Sequence, residues 1–276
     1  ATARDSAGGV GLSAGAAVDP RPAAHTAARP ESVNPATSAV SSRRVPLMPQ
    51  DGGTTRDMRR STPRGDDGGA DPGARRRRAA ALAGHRGDQE AARALAADPD
   101  PAVRATALAA LARMGRATQS DVSRALADPD ALVRRRACEV AGRLAASPAG
   151  PAVGVQALAR GLDDDDGAVV EAAAWGLGEH GGRAAEPAVL DALARVATSH
   201  PDPLCREAAV AALGAVGDRR GLGAILTATG DRPAVRRRAV LALAPFEGPE
   251  VDQALERARL DRDWQVRQAA EDLLDG

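Results

Sequence analysis

The chain contains no lysine and no tyrosine. All 37 of its basic residues are arginine, set against 37 Asp plus Glu, so the formal charge is zero. A balanced chain has no global field to draw it to nucleic acid or to an anionic membrane. Arginine, alanine and glycine in place of lysine, isoleucine and phenylalanine also follow from G/C-rich coding, so arginine abundance alone is not read as nucleic-acid chemistry. Aromatic residues are limited to Trp175, Phe246 and Trp264. That scarcity leaves little material for binding hot spots or base-stacking platforms. The cysteines are Cys138 and Cys205, in no metal-ligand spacing. Both are expected to be buried structural residues in a reducing, cytoplasmic compartment. No apolar run reaches about 18 residues, so no membrane-spanning helix is expected. The opening residues lack a charged stretch followed by an apolar core, so no intact secretory signal is expected there.

What is present falls into two regions. Residues 1–73 are rich in Pro, Ser, Ala and Gly, with nine Arg against eight acids and no sustained apolar period. Such a segment cannot bury enough surface to offset its chain entropy, and a disordered tail is expected. From residue 74 to 276 Ala, Leu and Arg dominate, and the composition is that of helices. Arg75 to Arg78 form an unbroken basic run at the boundary. It reads as the solvated start of a first helix near 74–84, or as a contact for phosphate or an acidic surface.

The second region repeats itself. "DPDPAVRATALAALARMG" at Asp98–Gly115 returns as "DPDALVRRRACEVAGRLA" thirty residues later. With the Val of "AVR" as anchor, the frame recurs at Val103, Val133, Val169, Cys205, Val235 and Val266. Four residues on stands Ala every time: Ala107, Ala137, Ala173, Ala209, Ala239 and Ala270. Eight residues on come Leu111, Ala141, Leu177, Leu213, Leu243 and Leu274. These offsets share one helical face, so they predict a buried stripe on which the small Ala lets two helices approach. Three residues before the anchor, Asp100, Asp130, Asp166, Asp202 and Asp263 are placed to cap the helix that follows; the fifth unit has Arg232 there instead. A short apolar-periodic run precedes each cap. Six helix-turn-helix units are therefore predicted over about 88–275. A single unit cannot bury its own apolar face, but stacked units can, which makes a solenoid.

The "DPDPxVRxxAxxALxxxG" frame resembles HEAT repeats of the phycobilisome-lyase-like variety, in a high-GC bacterial dialect. The resemblance covers about 190 residues and implies an all-α, right-handed α-α superhelix with the "VRxxA" helices on its concave face. It also implies a ladder of hydrogen bonds between successive turns, made by the first Asp of the frame and the Arg after the anchor. The matching acids are Asp98, Asp128, Asp164 and Asp261, and the matching arginines Arg104, Arg134, Arg206, Arg236 and Arg267. His200 and Gly230 replace the acid and Val170 replaces the arginine, so the ladder is expected to be interrupted in repeats three to five.

Catalytic relatives make demands that can be checked on residues. Deoxyhypusine hydroxylase is similar in repeat style and holds two irons with His-Glu pairs; here Arg206-Glu207 stands at the nearest such place, and none of the four histidines precedes Glu. Phycobilin lyases grip a tetrapyrrole carboxylate. Arg135 and Arg237 sit at equivalent concave offsets and could do so, but Glu171 and Glu207 hold that offset in the two units between. A glycosylase-like reading needs a basic concave face, yet residues 98–276 carry 22 Arg against 27 acids, a net of −5. The "DDDD" at Asp163–Asp166 has no cation-loop pattern after it. Trp175 lies six residues past its anchor, off the buried stripe; it either covers a neighbouring helix or forms a partner hot spot. The sequence therefore predicts a noncatalytic scaffold or adaptor that binds a protein partner on its concave face, as a monomer without cofactor or metal. Trp175, Arg135, Arg237, Glu171 and Glu207 are its candidate contacts. An enzyme relative, or a nucleic-acid binder using Arg75–Arg78, are the alternatives.

Overall fold

The computed structural model of the chain describes residues 71–145 and 154–275. The expected disordered tail lies outside the described residues, apart from 71–73, which already belong to the helical array. Thirteen α-helices and three short 3-10 turns make up the described residues, and no strand occurs among them. The leading helix α1 spans Pro72–Arg86. It starts two residues ahead of the expected boundary because Asp71 caps it, accepting hydrogen bonds from the N–H groups of Gly73 and Ala74. Six pairs follow: α2 (Gln89–Leu95) with α3 (Pro101–Arg113), α4 (Gln119–Leu126) with α5 (Ala131–Ala145), α6 (Val155–Ala159) with α7 (Gly167–His180), α8 (Pro187–Ser199) with α9 (Pro203–Val216), α10 (Leu222–Ala228) with α11 (Pro233–Ala242), and α12 (Pro249–Ala258) with α13 (Trp264–Leu274).

The caps explain why each second helix begins where it does. Asp100, Asp130, Asp166, Asp202 and Asp263 each accept a hydrogen bond from the backbone N–H two residues on, at 2.8–2.9 Å. That satisfies one of the donors a helix start leaves free. In the fifth unit Arg232 occupies the cap position and makes no side-chain cap bond. The anchors and the six fixed alanines are buried, every one of the alanines completely. The stripe ends with Leu274, which is partly exposed because no described helix follows to cover it.

The second helices of successive units, with α1 ahead of them, pack directly on one another along the array, whereas the first helices touch across units more sparingly. The more closely packed layer is termed the inner layer, and the stacked pairs form an all-α superhelix. Two glycines show how tight that inner layer is. A Cβ on Gly142 of α5 would lie 2.6 Å from the Trp175 ring and 2.9 Å from the Gly176 Cα on α7. A Cβ on Gly214 of α9 would lie 2.8 Å from the Ala242 backbone on α11. The close approach at both places depends on the missing Cβ of the glycine.

Candidate functional site

Two arrangements run along the inner layer: a ladder of arginines through the turns, and a groove across α5, α7, α9 and α11. The ladder is built from arginines at equivalent places on successive inner-layer helices. Arg104 donates from Nε and Nη2 to the two Asp128 carboxylate oxygens at 2.9 and 2.8 Å. Its remaining nitrogen, Nη1, donates to the carbonyls of Asp98 and Pro99 in its own turn. Arg134 does the same to Asp164, at 2.7 and 2.8 Å, and to the carbonyls of Asp128 and Pro129. Arg236 does so to Asp261 at 2.8 and 2.7 Å. Arg267 donates to the Asp261 carbonyl, and no following acid is paired with it among the described residues. The planar fork of arginine suits this task, because one side chain closes its own turn and grips the next carboxylate bidentately.

The expected interruption across repeats three to five is narrower in the structure. Val170 leaves no guanidinium on α7, and His200 replaces the acid in the next turn, with its Nδ1 accepting the Asp202 N–H. That rung is missing. The following one is present: Arg206 donates to both carboxylate oxygens of Asp231 at 2.6 and 2.8 Å. Asp231 stands one residue after Gly230, one place out of frame, and takes the part of the ladder acid. A rung also precedes the frame. Arg76 donates to Asp98 at 2.7 and 3.2 Å, so one member of the Arg75–Arg78 run is engaged in the ladder while Arg75, Arg77 and Arg78 are exposed on α1.

Three of the four aspartates in the "DDDD" stretch have structural partners. Asp163 pairs with Arg195, Asp164 takes the Arg134 rung, and Asp166 caps α7. Among the described residues no group of three or more His, Cys, Asp or Glu side chains is arranged to hold a metal. Burial pushes the Cys138 thiol up to about 12 and the Cys205 thiol up to about 11, so both are poor thiolates. No helix among the described residues is long and apolar enough to cross a membrane.

The ladder sets the response to acid. Hydrogen bonds from Arg76, Arg134, Arg206 and Arg236 hold Asp98, Asp164, Asp231 and Asp261 below the usual carboxylate range. At Asp128 burial is the largest influence and pushes upward, but the Arg104 bond and the Asp130 N–H outweigh it. A folded-state pKa below the unfolded one means the unfolded chain binds more protons at intermediate pH. The stability these groups contribute is complete above the ordinary Asp value of about 3.9 and is lost as pH falls through the lower folded values. Thermal melts should therefore show a first loss as pH falls below about 6.5, where burial keeps His180 from taking the proton it would accept in the unfolded chain, and a steeper fall below about 4 as the rungs are protonated. A midpoint that stays level down to pH 3 would show that the rungs contribute nothing.

The groove encloses about 520 Å³. It brings together Trp175, Arg135, Glu171 and Glu207, four of the five candidate contacts. The fifth, Arg237, is not among its lining and donates to Gln265 at 3.5 Å. Arg238, its neighbour, lines the groove instead and donates to Glu207 at 3.2 Å from Nη2. Adjacent residues on a helix point about 100° apart, so a one-residue error in face is enough to exchange them. Arg135 is bound to Glu139 at 3.1 Å. The Trp175 ring lies against Gly142 of α5, and 40% of its surface is exposed, within the lining of the groove. Exposed Leu204 and a floor of small residues, including Ala172, Ala208 and Ala211, complete the apolar part.

An all-helical stack of two-helix units, tied through its turns by arginine–aspartate rungs, is an α-solenoid of the armadillo and HEAT class. The sequence profile described as HEAT repeats matches residues 119–214 and 190–275, more than half of the chain, and the chain belongs to that family. No curated protein sequence matches it. Among solved structures, an engineered protein from a structural genomics consortium shares 21% identity at a TM-score of 0.50, over 68% of this chain and 95% of that one. A designed armadillo repeat protein shares 16% at 0.50, over 68% and 98%. The complex of CpcE and CpcF of phycocyanin lyase from Nostoc sp. shares 24% at 0.49, over 67% and 75%. The first two likenesses are of fold alone.

Proposed function

We propose that the chain is a noncatalytic scaffold or adaptor that holds a protein partner against its concave face, in the groove over α5, α7, α9 and α11. The observation that carries this reading is Trp175. It is a large aromatic side chain held against one helix, with two-fifths of its surface left facing an open groove lined by Ala and Leu. Aromatic anchors in such settings dominate the energetics of protein contacts. A ridge of mixed charge around them fits a protein surface better than a phosphate backbone.

Photo-crosslinking tests it. A crosslinking side chain at Ala211, inside the groove, is compared with one at Leu260, which is 86% exposed in the turn after α12. In lysate of the source cell, Ala211 should capture a discrete protein partner and Leu260 should not. Adding Trp175→Ala should reduce that capture about tenfold or more, as loss of an anchor of 1.4 kcal/mol or greater would do. Equal capture at both positions, or capture indifferent to Trp175→Ala, would sink the reading.

A further inference from the structure

The groove has a chemical bias of its own. Six charged side chains line it: Glu139, Glu171, Glu179, Glu207, Arg135 and Arg238. Both arginines are already engaged, Arg135 with Glu139 and Arg238 with Glu207. Glu139 takes two further guanidiniums, from Arg136 and Arg143. Glu171 and Glu179 are the remainder, and neither forms a salt bridge with another described residue. Both are exposed. The groove is therefore lined by two exposed carboxylates that form no salt bridge with a described residue.

Their position relative to Trp175 gives that excess a direction. Glu171, Trp175 and Glu179 follow one another at steps of four on α7. Residues so spaced share one face of a helix, with about 5–6 Å between successive Cβ atoms. The indole is thus bracketed, a turn below and a turn above, by an anion. Part of its benzo ring is covered by α5, because Cζ3 and Cε3 lie 2.6 and 3.1 Å from where a Cβ on Gly142 would be. Glycine there brings the ring down on α5, and its open part faces the groove. A cation within about 6 Å of an indole face is attracted by the ring quadrupole, and a carboxylate on either side adds to the attraction. Leu204 and the alanine floor beside it take apolar atoms.

Resting on the proposal that the groove binds protein, we infer that its occupant is a partner segment carrying an arginine or lysine next to an apolar side chain. The cationic head lies over Trp175 between Glu171 and Glu179, and the apolar neighbour lies against Leu204 and the alanines. Charge complementarity disfavours an acidic segment over Trp175, where it would face the carboxylates of Glu171 and Glu179.

A random dodecapeptide library displayed on phage tests this on the full chain. Selection against the unaltered protein is run beside Trp175→Ala and the double variant Glu171→Gln/Glu179→Gln. The two glutamates are exposed and without a salt bridge among the described residues, so the double variant should melt like the parent. The expected result is enrichment of peptides carrying Arg or Lys flanked by apolar residues. Synthetic copies should bind about tenfold more weakly to the double variant, and about tenfold more weakly when the Arg is replaced by neutral citrulline. Enriched peptides that depend on Trp175 but are neutral or acidic would overturn the inference and leave the groove as a protein site. Basic peptides that bind the double variant undiminished would also overturn it. A library yielding no peptide dependent on Trp175 would remove both readings.

Discussion

Arg134→Ala will lower the stability of the array by about 2–4 kcal/mol, most of what removing one partner of a buried ion pair costs, reduced for partial exposure. The side chains of Arg134 and Asp164 are 22% and 10% exposed, so the pair is shielded but not dry. The substitution removes four hydrogen bonds at once: two to the Asp164 carboxylate and one each to the carbonyls of Asp128 and Pro129. The carboxylate is left poorly hydrated and without its cation, which is the expensive part. The effect has a second component peculiar to this chain. The rung between α7 and the turn before α9 is already missing, because Val170 and His200 stand in its place. Without Arg134 the third unit would be tied by the ladder on neither side and held by packing alone. In a stack stabilised by nearest-neighbour interfaces, the urea transition should then broaden as well as shift. Arg259→Ala supplies the comparison, since Arg259 and Glu256 form an exposed pair within one turn; such pairs contribute about 0.3–0.5 kcal/mol. Equal shifts for the two variants would mean that the ladder is a surface feature with no part in holding the units together.

The parts of this molecule set by short-range rules were legible in the sequence. The anchors, the fixed alanines and the caps are fixed by spacing within a single helix and its turn, and a period of 3.6 reports them directly. What was not legible depends on how one unit meets the next. Asp231 could not be seen replacing Gly230, because its turn is one residue out of frame. Arg76 reads as one of four equivalent arginines until α1 is placed against the turn holding Asp98. Its signal was available: it lies 22 residues before that acid, and Arg104 lies 24 before Asp128. Gly142 carries no signal of its own, since glycine near the end of a helix is ordinary. Its meaning comes from the indole that α7 lays across it. The exchange of Arg237 for Arg238 in the groove is a matter of helix rotation, which a repeat frame leaves free by one residue.

Ala173→Leu should destabilise the chain by about 3 kcal/mol, the upper end of what overpacking usually costs. Ala173 is completely buried on α7, and a Cβ built on Gly161, in the turn after α6, would come within 2.9 Å of its methyl carbon. Inner and outer layers of the third unit therefore meet there with only one methyl group between them. The same point lies 3.5 Å from the Cys138 sulfur and 3.8 Å from Val169, so the space is closed by the second unit as well. Three further carbons cannot enter without moving α7 away from its partner. That movement would reach the Gly142–Trp175 contact, because the same helix carries both. Ala211→Leu is the matching control. Ala211 is partly exposed on α9 and lines the groove, so a leucine can extend into open space. Helix propensities of Ala and Leu are close, and a shift within about 0.5 kcal/mol is expected. The two variants should then part in opposite ways. Ala173→Leu should lower the urea midpoint, while Ala211→Leu should keep the midpoint and weaken peptide binding by filling the groove. Equal midpoints would show that Ala173 is not where the two layers close, and that the groove has been assigned to the wrong face of the stack.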